Sequence, residues 1–307
     1  MKNILEIIIP TFNRKQHIER TLKQLLAENS PVRDCSITVV DNASTDGSDE
    51  IIEGFVKQYK NVEHIRNPRN IGLGGNIAKC YALAKAPYVW VLGDDDSFKW
   101  NTWYEIENAL KTGDYDLLLT RKRDLKGTSN VAKILRQCGY ITAGIYRTSL
   151  INDAVALNMY NSIYTLFPHL AIVGEIFNKK GLIFLPQGEI VDQILFDKKN
   201  AGDGHYFRGY DEYIPDIYKN MFWTSGYLLS VQMIQDKKLR NYVLDNSGSH
   251  GFFGFIFTGF RTNYKVCHAS RYNEAIVRNT LDFWHRVQFD LACLLLRIMF
   301  LFVPKKH

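Results

Sequence analysis

Cysteine is scarce in this sequence of 307 residues, and the spacing of the few cysteines excludes zinc-binding and disulfide-rich proteins. The five cysteines are scattered, with no CxxC pair and no Cys/His cluster. A zinc site requires such a cluster, and a disulfide framework requires paired cysteines. Repeats and low-complexity tracts are also absent, while 46% of the residues are hydrophobic and 13% aromatic. The composition is therefore that of a packed globular protein with reduced thiols.

The sequence also lacks a long hydrophobic run. Its most apolar stretch, residues 289–303, is shorter than the roughly 20 residues that a transmembrane helix needs. Arg297 interrupts that stretch as well. The first residues lead directly into a strand pattern without the features of a signal peptide. We therefore expect a cytoplasmic protein that works at the inner face of a membrane.

Strong charge and nucleic-acid motifs are missing too. The net charge of +6 is diffuse, and no RNA- or DNA-binding motif is present. Nucleic acid is therefore not an expected partner. A mild positive charge suits anionic ligands such as nucleotide diphosphates or acidic lipid headgroups.

Over about the first 120 residues, strand-like and helix-like segments alternate. Strands are predicted at 4–9, 36–40, 62–66, 88–92 and 115–120, with helices at 13–26, 48–59, 76–84 and 102–110. This order predicts an α/β fold with a mostly parallel sheet covered by helices on both faces. The strand ends should bring Pro10, Asp41 and Asp94 to one edge of the sheet. Later segments are less regular, with strands at 145–146 and 182–190, a helix at 148–157 and helices after residue 211.

Three consecutive carboxylates, Asp94, Asp95 and Asp96, follow the strand at 88–92. Adjacent negative charges repel one another, so folding alone gives no reason to cluster them. A divalent cation removes this repulsion, and Mg²⁺ and Mn²⁺ prefer carboxylate oxygens. The alternative interpretation is an acidic turn that caps a helix beginning near Ser97.

Four stretches that carry polar and glycine residues follow one another in order. They are Ile8-Ile9-Pro10-Thr11-Phe12-Asn13-Arg14, Val39-Val40-Asp41-Asn42-Ala43-Ser44-Thr45-Asp46-Gly47-Ser48, Asn67-Pro68-Arg69-Asn70-Ile71-Gly72-Leu73-Gly74-Gly75-Asn76 and Leu92-Gly93-Asp94-Asp95-Asp96. Together they closely resemble glycosyltransferase family 2, the nucleotide-sugar transferases of GT-A fold. The resemblance covers roughly the first 125 residues, and the last stretch is similar to a variant of the family's DXD element.

The resemblance implies a GT-A catalytic domain over 1–210, followed by a helical region over 211–307. Asp96 would be the principal ligand of Mn²⁺ or Mg²⁺, and Asp94 would lie near the metal or the ribose. The nucleotide-binding residues that it implies are Pro10, Thr11, Asn13, Arg14, Asp41, Asn70, Gly72, Asn76, Asp94 and Asp95.

The residues around these motifs also have local interpretations. We expect Pro10 to end its strand, and Thr11 and Asn13 to cap the helix that follows. The spacing at 72–75 is not GxGxxG, so a dinucleotide loop is excluded. A glycine-rich bend that passes close to the nucleotide is the preferred interpretation.

An inverting transfer needs a general base, and the Glu-Asp pair usual in the family is missing. His169 is the first candidate, because an imidazole with an unperturbed pKa of about 6.5 is a competent base at neutral pH. A histidine packed at a helix start after Pro168 is the structural alternative. Asp192 and Glu175 are the other candidates for the base. His205 and Arg208 are candidates for contacts with the diphosphate.

We expect an inverting, metal-dependent enzyme that moves a sugar from a nucleotide-sugar, most simply a UDP-sugar, to a hydroxyl of a cell-surface glycan or lipid-linked acceptor. Residues 284–307 are predicted to lie on an anionic membrane, with packing on the catalytic domain or in a homo-oligomer as alternatives. Two other functions stay open. One is an inactive membrane-associated scaffold, and the other is a different sugar-nucleotide enzyme such as a nucleotidyltransferase.

Overall fold

A seven-stranded sheet forms the centre of the computed structural model, which describes residues 1–121, 130–165, 167–193, 216–248, 250–264 and 270–300. In chain order the elements are β1 (Leu5–Thr11), α1 (Lys15–Leu25), β2 (Ser36–Asp41), α2 (Ser48–Gln58), β3 (Val62–Arg66), α3 (Leu73–Ala82), β4 (Tyr88–Val91), β5 (Asp96–Phe98), α4 (Trp103–Thr112), β6 (Leu117–Leu119), α5 (Val131–Cys138), β7 (Gly144–Arg147), α6 (Asp153–Asn161), α7 (Leu170–Asn178), β8 (Ile183–Phe184), β9 (Val191–Gln193), α8 (Asp216–Val231), α9 (Lys237–Asp245), α10 (Gly251–Tyr264), α11 (Ser270–Thr280) and α12 (Phe283–Phe300).

The strand order in the sheet is β3-β2-β1-β4-β7-β6-β8. The first four strands are parallel, β7 runs antiparallel to both of its neighbours, and β8 is parallel to β6. The predicted α/β fold with a mostly parallel sheet is therefore confirmed. Parallel strands end at one edge, so the loops after β1, β2 and β4 meet there.

Helices cover both faces of the sheet, as the alternating directions of the side chains along β1 show. Ile7 and Ile9 lie in one apolar cluster with α1, α2 and α4, whereas Ile8 lies in the other cluster with α3, α5 and α7. Successive side chains of a strand point to opposite faces, so a run of apolar residues fills both cores. The second cluster also contains residues of α8, α10 and α12. The C-terminal helices therefore share a core with the sheet, and the predicted division at residue 210 stays a prediction.

Pro10 does not end its strand, contrary to expectation. It pairs with Val40 of β2, and β1 continues to Thr11. Ile8 accepts a hydrogen bond from the Leu92 N–H on the β4 side of β1. Pro10 is two residues after Ile8, so its backbone nitrogen also points to the β4 side of β1. Strand β4 ends before it reaches the position opposite Pro10. The missing N–H of Pro10 therefore costs no ladder hydrogen bond.

No helix begins near Ser97. Residues Asp96–Phe98 instead form β5, which pairs antiparallel with β9. The strand predicted at 182–190, broken by Pro186, is observed as β8 at Ile183–Phe184, and β9 follows at Val191–Gln193. Aromatic packing holds β5 in place, because Phe98 contacts both Trp90 and Trp100. This long-range pairing overrides the local helix signal.

Gly74 has a packing role that differs from the predicted approach to a nucleotide. Helix α3 begins at Leu73, so Gly74 lies in its first turn. A Cβ built on Gly74 would lie 2.0 Å from the carbonyl oxygen of Ile163. Any side chain would push these two backbones apart. The conformational role belongs to Gly72, whose φ of 86° favours glycine.

The last helix, α12, has one buried and one exposed apolar face. Phe289, Ala292 and Leu296 pack into the second core cluster. The opposite face exposes large apolar side chains along its length: Trp284, Val287, Leu291, Leu294, Leu295, Ile298 and Met299. None of the helices in the described ranges is long and apolar enough to span a bilayer.

Candidate functional site

The acidic triplet lies at the carboxyl edge of the sheet, and helix α1 holds its backbone. Thr21 Oγ1 donates to the Asp94 carbonyl at 2.8 Å. Arg20 Nη2 donates to the Asp95 carbonyl at 3.1 Å. The Gln24 side chain donates to the Asp96 carbonyl at 3.4 Å, so one polar face of α1 fixes the triplet.

The Asp94 carboxylate is buried and has partners on both oxygens. Thr11 Oγ1 donates to Oδ2 at 2.7 Å, and Arg14 Nε lies 3.1 Å from Oδ1. Arg14 also places Nη2 3.0 Å from Asp95 Oδ2. Burial raises the pKa of Asp94, as does the charge of Asp95, whereas Arg14 acts in the opposite direction. The guanidinium thus compensates part of the repulsion inside the triplet.

Asp96 is bound by a residue from a distant part of the chain. The Thr142 hydroxyl donates to Asp96 Oδ2 and accepts the N–H of Gly93 at 2.8 Å. Burial raises the pKa of Asp96 to about 7, partly offset by Thr142 and by the charge of Arg121. Raised pKa values are expected where carboxylates are held close together away from water.

Gly93 lies beneath the carboxylates of Asp95 and Asp96. A Cβ on Gly93 would lie 3.0 Å from both Asp95 Oδ1 and Asp96 Oδ2, and 3.4 Å from Thr142 Oγ1. Glycine therefore lets these three oxygen atoms converge above the backbone. Within the described ranges, no group of three or more His, Cys, Asp or Glu side chains is placed to hold a metal ion without further ligands. Because Mg²⁺ usually takes one or two carboxylates plus substrate phosphates, the donor set fits a cation shared with a diphosphate.

The loops after β1 and β2 are bound to each other beside the triplet. Asn13 has a positive φ of 50°, its N–H donates to Ser44 Oγ, and its Oδ1 accepts the Thr45 N–H. Asp46 accepts the N–H of Lys15 at the start of α1 at 2.9 Å. The predicted caps Thr11 and Asn13 therefore bind other groups, because Asp46 takes this N–H from the neighbouring loop.

Asp41, at the end of β2, is fully buried. Its Oδ1 accepts the Ser44 N–H at 3.0 Å. Among the described residues, no donor makes a hydrogen bond to its Oδ2, and Arg66 Nε lies 3.6 Å from that oxygen. A buried acceptor of this kind is suited to a ligand N–H.

A chain of asparagine amides connects the loop after β2 with α3. Asn67 donates to both Asn42 and Asn76 at 2.9 Å. Asn42 in turn donates to Asn70 at 2.7 Å, and Asn70 accepts the Gly72 N–H at 2.9 Å. Asn70, Gly72 and Asn76 thus fix the shape of this edge, and their predicted contact with a nucleotide stays a prediction.

Of the three predicted bases, Asp192 is the one that the backbone brings to the triplet. The β5–β9 register places Asp192 opposite Ser97, next to the Asp96–Gln193 pair. Glu175 lies on α7, where it forms an ion pair with Lys179 at 2.9 Å. His205 and Arg208 lie outside the described residues.

His169 lies in the core and not at the sheet edge, so the structure supports the packing alternative. Only 1% of its surface is exposed. Its Nε2 bonds to the Cys138 carbonyl at 2.7 Å, and its ring stacks on Tyr81. Burial lowers its pKa to about 4. A base must reach the proton that it removes, and this imidazole contacts core atoms instead.

Several residues of the site were not predicted from the sequence. Arg20, Thr21 and Gln24 had a local signal, since polar residues three and four positions apart share a face of a helix. Asn42 and Asn67 stand within two of the recognised motifs. Thr142 had no such signal, because 46 residues separate it from Asp96.

Comparison with known proteins identifies the family. The model of the family described as "Glycosyl transferase family 2" matches residues 6–166, slightly more than half of the chain. The chain belongs to glycosyltransferase family 2. The predicted family is therefore confirmed.

Relatives within glycosyltransferase family 2 match parts of the chain. The abequosyltransferase RfbV of Salmonella typhimurium is 34% identical over 95 residues, covering 31% of this chain and 28% of that protein. The poly(ribitol-phosphate) beta-N-acetylglucosaminyltransferase TarP of Staphylococcus aureus is 25% identical over 171 residues, covering 52% and 49%. The chain thus spans less than half of each relative.

The fold is also similar to that of a solved structure. S. aureus TarS 1-349 in complex with UDP superposes with a TM-score of 0.58 at 14% identity, covering 98% of this chain and 91% of that structure. At this identity the similarity establishes the GT-A-like fold, which agrees with the family assignment.

The burial of His169 predicts a loss of stability in acid. Between pH 6.5 and 4 the unfolded chain takes up a proton on this residue and the folded chain does not, so stability falls with falling pH. From pH 7 to pH 5, urea unfolding of the wild type should lose about 2 kcal/mol that His169→Gln does not lose. Exposed His250→Gln is the control, and it should behave as the wild type does. Identical pH dependence of wild type and His169→Gln would contradict a neutral core imidazole.

Proposed function

We propose that this glycosyltransferase family 2 protein is an inverting enzyme that transfers a sugar from a UDP-sugar to a hydroxyl of a surface glycan or lipid-linked acceptor. The observation that carries the proposal is the convergence of Asp94, Asp95 and Asp96 with Asp41 at one edge of the sheet. Charged groups and a buried acceptor thus lie where open α/β sheets bind ligands. The UDP complex of the structurally similar TarS supports the choice of donor.

In this proposal the nucleotide lies along the ends of β1, β2 and β4. Asp41 Oδ2, which is buried and accepts no hydrogen bond from the described residues, is suited to the imino N–H of uracil. The loop containing Thr11, Asn13 and Arg14 would contact the nucleotide beside it. Asn70, Gly72 and Asn76 would form the opposite side of the base site. The triplet would then lie at the diphosphate, as in the family's DXD element.

The cation in this proposal is Mn²⁺ or Mg²⁺, held by Asp96 with help from its acidic neighbours. When bound, it would neutralise charge on the leaving diphosphate. Thr142 would hold Asp96 in position, and α1 would keep the triplet's backbone in place. The site would thus be arranged before the donor binds, which lowers the cost of reorganisation.

Asp192 is our proposed general base. The acceptor oxygen would attack the anomeric carbon while Asp192 takes the hydroxyl proton, and the bond from that carbon to the diphosphate oxygen would break. Inversion follows from attack opposite the leaving group. The β5–β9 register supports this choice through the backbone alone, because Asp192 pairs with Ser97, the residue that follows Asp96.

Donor hydrolysis without acceptor tests the donor and cation parts of the proposal. Mn²⁺ should stimulate release of UDP, and Asp96→Asn should lower the stimulated rate about 10²-fold or more, because one cation ligand is lost. Exposed Asp153→Asn, the control, should keep the wild-type rate. Formation of UTP and sugar phosphate from pyrophosphate would indicate a nucleotidyltransferase. Absence of turnover over a panel of UDP-, GDP- and dTDP-sugars would favour the scaffold.

Variants of the three predicted bases test the role of Asp192. Asp192→Asn should lower the transfer rate about 10²- to 10⁴-fold, since an amide cannot take the proton. Donor binding, measured as the thermal shift that UDP causes, should stay unchanged. Glu175→Gln and His169→Gln should keep the transfer rate. A wild-type rate in Asp192→Asn would remove it from the mechanism.

We also propose that the exposed face of α12 lies on an anionic membrane surface. Trp284, at one end of the face, is 64% exposed, and Leu294 and Ile298 are each 50% exposed. Aromatic residues favour the interface, and basic residues at 286, 297, 305 and 306 would favour anionic headgroups. A membrane acceptor would then be brought to the active site.

Vesicle sedimentation of the full chain tests this surface. The protein should bind vesicles that contain an anionic lipid more strongly than neutral ones, and Leu294→Gln with Ile298→Gln should weaken binding about tenfold or more. Leu157→Gln, on exposed α6, is the control. If the double variant instead dissociates a dimer and vesicle binding is absent, the face is an interface between two copies.

A further inference from the structure

Arg14 is the basic side chain that contacts two members of the acidic triplet. Its Nε lies 3.1 Å from Asp94 Oδ1, and its Nη2 lies 3.0 Å from Asp95 Oδ2. All three side chains are largely removed from solvent, with exposures of 19%, 6% and 13%. Screening by water is therefore weak, and these contacts are stronger than those of a surface ion pair.

The contacts divide the triplet into two parts. Asp94 has Thr11 on Oδ2 and Arg14 on Oδ1, so both oxygens already have partners. Asp95 has Arg14 on Oδ2, while its Oδ1 lies over Gly93 together with Asp96 Oδ2. Arg14 thus takes oxygens that a divalent cation would otherwise share.

We propose that Arg14 is a built-in counter-ion, which competes with the divalent cation for Asp94 and Asp95 and yields to it when the nucleotide diphosphate binds. This inference rests on the proposed function. A guanidinium and a divalent cation repel each other, so they do not bind the same carboxylates equally well at once. Arg14 therefore weakens cation binding to the protein alone.

The diphosphate changes this competition. Guanidinium groups bind phosphate oxygens through two parallel hydrogen bonds, so the incoming donor offers Arg14 an alternative partner. Once Arg14 contacts phosphate, the carboxylates are available to the cation. Donor and cation then bind cooperatively, and each raises the affinity for the other by the same factor.

Arg14 begins from a position suited to this movement. It is the residue before the first turn of α1, and its side chain makes no cap hydrogen bond. Asn13, which precedes it, has a positive φ and is fixed by Ser44 and Thr45. The backbone is therefore held while the side chain can change partners.

The inference is tested without turnover by measuring Mn²⁺ binding through the electron paramagnetic resonance signal of the free ion. Arg14→Gln should bind Mn²⁺ alone about tenfold more tightly than the wild type, since the removed charge acts at ion-pair distance. UDP should tighten Mn²⁺ binding by a larger factor in the wild type than in Arg14→Gln. Exposed Lys23→Gln removes an equal charge from α1, and it should match the wild type.

The outcomes separate this inference from the proposed function. Equal or weaker Mn²⁺ binding by folded Arg14→Gln overturns the inference and indicates a structural ion pair. If Arg14→Gln does not fold, Arg14→Lys replaces it. A single ammonium cannot contact both carboxylates in the same way, so about threefold tighter Mn²⁺ binding is expected, and unchanged binding overturns the inference. If the wild type does not bind Mn²⁺ in the presence of UDP, and Asp96→Asn does not change the rate of donor hydrolysis, the proposed cation and this inference are overturned together.

Discussion

The arrangement of the site depends on holding three adjacent carboxylates, two of them almost fully buried, at the end of one short strand. Their mutual repulsion would spread the loop after β4 unless other groups opposed it. The fold opposes it through the side chains of α1, which bind the three carbonyls. It also places one guanidinium and two hydroxyls on the carboxylates themselves. Backbone and side chains are thus restrained by different parts of the chain.

The same principle extends to the neighbouring loops. The loops after β1 and β2 exchange hydrogen bonds through Asn13 and Asp46, and the asparagine chain joins the second loop to α3. Each loop is fixed by another loop as well as by its own strand. A ligand placed between them therefore meets groups whose positions are already set, so little binding free energy is spent on ordering them.

Local sequence patterns predicted the parallel part of the sheet well. The strand predicted at 36–40 and the acidic triplet after 88–92 follow from apolar runs with polar ends, because parallel strands place those ends at one edge. The prediction that Pro10 ends its strand was wrong, because the effect of a proline depends on where the neighbouring strand stops. The prediction of a helix near Ser97 was wrong, because a partner strand nearly a hundred residues away determines the conformation of this segment.

Residues whose surroundings come from distant segments were the hardest to predict. His169 has the chemistry of a base, but packing against Cys138 and Tyr81 places it in the core. A sequence does not distinguish a buried imidazole from an accessible one. Thr142 illustrates the opposite case, since an ordinary threonine becomes a partner of Asp96 through the turn before β7.

The short pairing of β5 with β9 has a consequence for how such enzymes change over generations. Strand pairs repeat every two residues, so a slip by one position exchanges the faces of the strand. A single insertion or deletion just before β9 would place Val191 or Gln193 opposite Ser97 instead of Asp192. The large sheet contains neither β5 nor β9 and would remain, and Asp94 and Asp95 precede β5. Under the roles proposed above, such a chain would keep Asp41 and Asp94 in place and present residue 192 on the other face of β9, so a single indel would alter the proposed base without disturbing the proposed donor site.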